Sequence, residues 1–76
     1  MNADDFIEKF AFAIEVEAAT LALDTRFKDL PNWDSLNTLA VIAMADADYG
    51  ASLTGSDIQN SQTVGELMQV VQGRMG

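Results

Sequence analysis

The sequence predicts an all-α fold: an antiparallel-type bundle of three main helices and one short helix, with a long ordered loop between helices 1 and 2. Three observations carry this. Apolar residues recur at helical spacing in three separate stretches. Capping and stop residues bound the later stretches at Asp34, Gly50 and Thr63. A chain of 76 residues that is 49% apolar has material for one small core, so a single domain over residues 1–76 is expected.

The first helix is expected from about Ala3 to Val16. Phe6, Phe10 and Ile14 recur every fourth residue with Ile7 beside them, and Asp4, Asp5 and Glu8 occupy the first turns, where the helix dipole favours negative charge. Phe12 falls off this stripe. From Glu17 to Asp34 the periodicity weakens. Leu21, Leu23, Phe27 and Leu30 are spaced as anchors of an ordered loop, and Pro31-Asn32 signals a turn. Connections of that length in a small domain are usually functional. Trp33 has a large amphipathic ring, suited to anchoring this loop or to touching a ligand or partner.

The second helix should span Ser35 to Tyr49, with Asp34 as N-cap and Gly50 as terminator. Leu39, Ile42, Ala45 and Tyr49 share one face, taken as the inward one. Leu36, Ala40, Ala43 and Ala47 line a second, smaller face. Ala45, with Met44 and Met68, leaves room for an apolar chain between helices, or is ordinary core. Ser56 to Asn60 suits one short turn. Thr63-Val64-Gly65-Glu66 reads as a capping box opening a last helix with a stripe of Val64, Leu67, Met68 and Val71. Gly73 to Gly76 are expected to fray.

Composition excludes much chemistry. Cysteine and histidine are both absent, which removes disulfides, Cys/His metal sites and every Ser/His or Cys/His catalytic pair. Nothing in the chain supplies acid–base chemistry near neutrality, so no enzyme is expected. Asp46-Ala47-Asp48 opens like a calcium loop, but Ala51 stands where its turn glycine belongs and Asp57 where its closing glutamate belongs. Twelve acids against four bases give a net charge of −8, which repels nucleic acid and anionic lipid and suits partners with basic patches. The longest apolar run, Leu39 to Ala45, is far short of a membrane span, and the start lacks the basic region of a secretory signal. A cytoplasmic, monomeric protein is expected.

The informative stretch is Asp34-Ser35-Leu36 at the mouth of the second helix. Backbone N–H groups of a first helical turn point at an exposed hydroxyl there, and a phosphate esterified to it would meet both donors and dipole. Asp34-Ser35 serves equally well as a simple helix cap.

The wider context resembles the acyl carrier protein family, the phosphopantetheine-attachment domains, over nearly the whole chain. Phe27-Lys28-Asp29-Leu30 is similar to the family's Phe-x-x-Leu loop, and Asp34-Ser35-Leu36 to its Asp-Ser-Leu motif. Ser56-Asp57-Ile58 fits its short third helix, and Thr63-Val64-Gly65-Glu66-Leu67 the start of its last. The resemblance implies an acyl-carrier-like fold. It also implies that a phosphopantetheinyl transferase moves 4′-phosphopantetheine from coenzyme A onto Ser35, with Asp34 as the motif acid and Leu36 as motif residue and partner contact. The arm's thiol would hold an acyl group as a thioester for acyl-loading and acyl-transferring enzymes of fatty-acid, polyketide or related biosynthesis. An aminoacyl or peptidyl carrier modified in the same way, or an unmodified acidic interaction module, are the alternatives.

Two departures matter. Pro31-Asn32-Trp33 stands where the family often has a small step. Fatty-acid carriers usually bear acids after the serine, whereas this chain has Asn37 and Ala40 there, and acids return only at Asp46 and Asp48. Leu36, Ala40, Ala43 and Ala47 are therefore expected to form a partner face that docks more by packing than by charge, in a dedicated pathway.

Overall fold

A computed structural model describes residues 1–75. Four helices follow in order: α1 over Ala3–Ile14, α2 over Ser35–Tyr49, α3 over Gly55–Asn60 and α4 over Val64–Arg74. Single 3-10 turns at Ala18–Thr20 and Phe27–Asp29 punctuate the loop between α1 and α2. The architecture is the all-helical bundle expected. α1 packs on α2 and α4, and α3 bridges α2 and α4.

Local chemistry sets the helix ends. Asn2 caps α1, its side chain accepting from the Asp5 N–H at 2.7 Å. Asp34 caps α2 by accepting from the Asn37 N–H at 2.9 Å, and Gly50 closes it in the left-handed region at φ 63°. α1 ends at Ile14, two residues earlier than expected, because Glu15 adopts the same left-handed conformation at φ 61°. The Val16 N–H then closes on the Ala11 carbonyl at 3.0 Å. At α4, Thr63 caps as expected, accepting from the Glu66 N–H. The reciprocal half of that box is shifted by one residue: Glu66 accepts from Gln62 rather than Thr63. A complete capping box stands at α3 instead, between Thr54 and Asp57.

The core is aromatic at its centre. Phe6, Phe10 and Phe27 are fully buried with Ile14, Val41, Ile58 and Leu67 around them. Phe27 meets Phe10 edge-on at 5.5 Å between centroids, and Trp33 meets Phe27 edge-on at 5.1 Å while lying parallel to Phe10 at 6.5 Å. Phe27 and Trp33 thus anchor the loop. Leu21 is buried and Leu30 packs against the core. Leu23 departs from expectation: its side chain is 39% exposed, and it holds the loop through its carbonyl, which accepts from the Gly65 N–H at 2.8 Å.

Two further expectations are corrected. The inward face of α2 is Val41, Met44 and Ala45, with Ile42 and Tyr49 half-buried, whereas Leu39 is 63% exposed. The α4 terminus does not fray at Gly73-Arg74. Arg74 makes a paired contact with Asp57 at 2.7 and 2.9 Å and donates to the Ser52 carbonyl at 3.1 Å. Met75 is the last described residue and Gly76 lies outside that range.

Candidate functional site

Ser35 is the first residue of α2 and is exposed. Its position follows from what precedes it. Trp33, packed against both Phe10 and Phe27, fixes the approach of the chain, and its backbone N–H donates to the Leu30 carbonyl at 3.0 Å. Asp34 is extended, so its side chain turns back over the first helical turn while its carbonyl accepts from the Thr38 N–H at 3.2 Å. Asn37 ties the turn down by donating from Nδ2 to the Asn32 carbonyl at 2.7 Å. The serine hydroxyl is thus held at the rim by residues anchored below it.

Four N–H groups open any helix without intrahelical acceptors. Here the Asp34 side chain serves the Asn37 N–H, and the regular ladder begins with the Thr38 N–H on the Asp34 carbonyl. Among the described residues, the N–H groups of Ser35 and Leu36 take no acceptor, and they remain donors beside the hydroxyl. The dipole adds partial positive charge at the same end.

Ser35 opens onto a groove of about 590 Å³ between α2 and α3, within the size range of small-molecule sites. Trp33, Thr38 and Leu39 form one side of it and Gly55, Ser56 and Ile58 the other. Lys28 also lines it, its Nζ donating to the Gln59 carbonyl and so joining the loop to α3. Lys28 brings a positive charge to the groove onto which Ser35 and the free helix N–H groups open, an electrostatic setting for a phosphate ester. The chain has no histidine to take the Ser35 proton, and the Lys28 ammonium is held on the Gln59 carbonyl. The hydroxyl is suited to receiving a group from another catalyst.

Lys28 and the α3 wall did not stand out in the sequence. Lys28 had only its place in the Phe27–Leu30 loop as a signal, and Gly55 contributes by lacking a side chain, with open space where a Cβ would stand. None of Met44, Ala45 and Met68 lines this groove. Ala45 is buried in the core, and Met44 lies under a different groove, between α1 and α2.

Leu36 is 71% exposed, Ala43 and Ala47 are exposed, and Ala40 is half-buried. With Leu39 they give α2 an apolar outward ridge that begins next to Ser35. The loop between α1 and α2 leaves Leu36, Ala43 and Ala47 uncovered. Asp46 and Asp48 are exposed within α2 itself rather than in a loop.

Two curated proteins named acyl carrier protein are similar to this chain. They come from Aster yellows witches'-broom phytoplasma (strain AYWB) and Onion yellows phytoplasma (strain OY-M). Each is 29% identical over 58 residues, a span covering 76% of this chain and 76% of the relative. No family model matches the chain, and no solved structure matches it.

Proposed function

We propose that this protein, which resembles acyl carrier proteins in sequence and is all-helical as that likeness implies, is a non-catalytic carrier loaded on Ser35. The observation that carries the proposal is the exposed Ser35 hydroxyl at the mouth of α2, beside free backbone donors and open to a groove that Lys28 also lines. These residues fit a 4′-phosphopantetheine group. Ser35 would bear it, the Ser35 and Leu36 N–H groups and Lys28 would face its phosphate, and the groove wall of Trp33, Leu39 and Ile58 is apolar enough to receive a chain. When attached, the group supplies a terminal thiol that holds an acyl unit as a thioester. A chain without cysteine has no such sulfur of its own.

Asp34 fixes the first turn through the Asn37 N–H and directly precedes the serine that would bear the group. The partners are a phosphopantetheinyl transferase and acyl-loading and acyl-transferring enzymes of a dedicated pathway. The exposed ridge of Leu36, Ala43 and Ala47, with Ala40 at its edge, supports docking by packing. A cytoplasmic location is part of the proposal, and no helix of the described residues is long and apolar enough to cross a membrane.

The test is intact mass after incubation with coenzyme A, Mg²⁺ and a promiscuous phosphopantetheinyl transferase. A gain of one phosphopantetheine that Ser35→Ala abolishes is expected. No gain on a folded sample, together with an unmodified mass from the native host, would overturn the carrier reading. Loading assays with fatty acids against amino acids then identify the cargo class.

A further inference from the structure

Phe12 is the most exposed large apolar residue of the bundle, at 87%. It stands on α1 beside a groove of about 530 Å³ that runs between α1 and α2. Ala13 continues the α1 wall, and Ala40, Ala43, Met44 and Ala47 form the floor and the α2 wall. The alanines open this groove, because larger side chains there would fill it. The Ser35 groove shares none of these residues and flanks α2 on its other side, toward α3.

The rim is charged, with one sign in excess. Glu8 stands on the α1 side and Asp48 on the α2 side. Among the described residues neither has an ion-pair partner. Lys9 is the one cation at the groove, and it is committed to Asp5 at 2.7 Å, while Tyr49 donates to the other oxygen of Asp5 at 2.6 Å. One lysine therefore serves three carboxylates, and the rim keeps two negative charges around an apolar floor.

We propose that this groove docks a basic amphipathic helix of another protein. A large apolar side chain of that helix packs against Phe12 and the alanines, and its Lys or Arg residues sit opposite Glu8 and Asp48. Charge complementarity selects this occupant over a second copy of the chain. A second copy brings a net charge of −8, and each of its four basic side chains is already hydrogen-bonded within its own fold. The apolar floor supplies affinity, and the two carboxylates set orientation and partner choice. The site widens the α2 ridge proposed above across to α1, but it needs no group on Ser35.

The test uses the intact chain and a short synthetic leucine/lysine peptide patterned as an amphipathic helix, with a leucine/glutamate peptide of the same pattern as control. Amide chemical shifts are expected to move around Phe12, Ala13, Ala43 and Ala47 with the lysine peptide alone. Phe12→Ser should weaken binding about tenfold with an unchanged melting temperature, since the ring is exposed. The double reversal Glu8→Lys with Asp48→Lys should transfer preference to the glutamate peptide. Ser35→Ala should bind as the parent does, so failure of the carrier reading and failure of this one are separate results. Shifts centred on the Ser35 groove, an unaltered affinity in Phe12→Ser, no transfer of preference, or self-association through Phe12 would each overturn the proposal.

Discussion

The backbone N–H of Gly65 donates to the carbonyl of Leu23 at 2.8 Å, and a Cβ at position 65 would lie 3.0 Å from that same oxygen. Next to it, the Val64 N–H donates to the Thr25 carbonyl at 3.0 Å. Two of the open donors of α4 are therefore satisfied by the loop that carries Phe27 and Trp33. The contact is backbone to backbone, and glycine permits it. Gly65→Ala is expected to lower stability by about 1 kcal/mol, because the strained contact and weakened hydrogen bond outweigh alanine's helix preference in a first turn. Amide exchange at position 65 should lose protection, and a thermal melt gives the net effect.

Asp34 has two separable roles. Asp34→Ala removes the acceptor for the Asn37 N–H and should cost about 1 kcal/mol. Asparagine caps as well as aspartate, so Asp34→Asn should keep the melting temperature. If the carboxylate also helps transfer onto Ser35, Asp34→Asn will be modified more slowly at equal stability. The time course of the mass gain measures this.

Asp57 gives the fold an acid limit. The Arg74 guanidinium and the Thr54 N–H beside it hold its carboxyl down to about 2, from an ordinary 3.8. A depressed folded-state value means that stabilisation is fully present above the unfolded value and is lost as pH falls from 3.8 toward about 2. Arg74→Ala should lower the melting temperature at neutral pH and flatten its fall across that window. Urea melts of parent and variant through the window, compared at each pH, isolate this pair from the other acids.

Glu15 holds a left-handed conformation that costs a residue with a Cβ about 1–2 kcal/mol. Glycine escapes that cost but loses more chain entropy on folding. Glu15→Gly should therefore stabilise the protein by about 0.5–1 kcal/mol net. Gly50→Ala, at the equivalent turn after α2, should do the opposite by about 1–2 kcal/mol, and denaturant midpoints compare the two directly.

The site was legible in sequence where its determinants are local. Asp34, Ser35 and Gly50 bound α2 as expected, because a cap needs only its own side chain and the next few N–H groups. The end of α1 was not legible in the same way, since glutamate gives no sign of the left-handed turn that Glu15 adopts.

The sequence by itself determined the helical class, the start and end of α2, the aromatic loop anchor Phe27 and the place of Ser35 at a helix mouth. These follow from spacing along one chain and from contacts a few residues apart. Tertiary structure alone decided which face of α2 is buried. Apolar residues ring that helix almost all the way round, so periodicity could not choose between Leu39 and Val41, and the choice fell to the aromatic core of α1 and the loop. It also decided that Leu23 would hold by its carbonyl, that Arg74 would reach back to Asp57, and that Phe12 would border a groove. Each of these needs two segments far apart in sequence to meet, and their meeting depends on how the whole bundle fills its core.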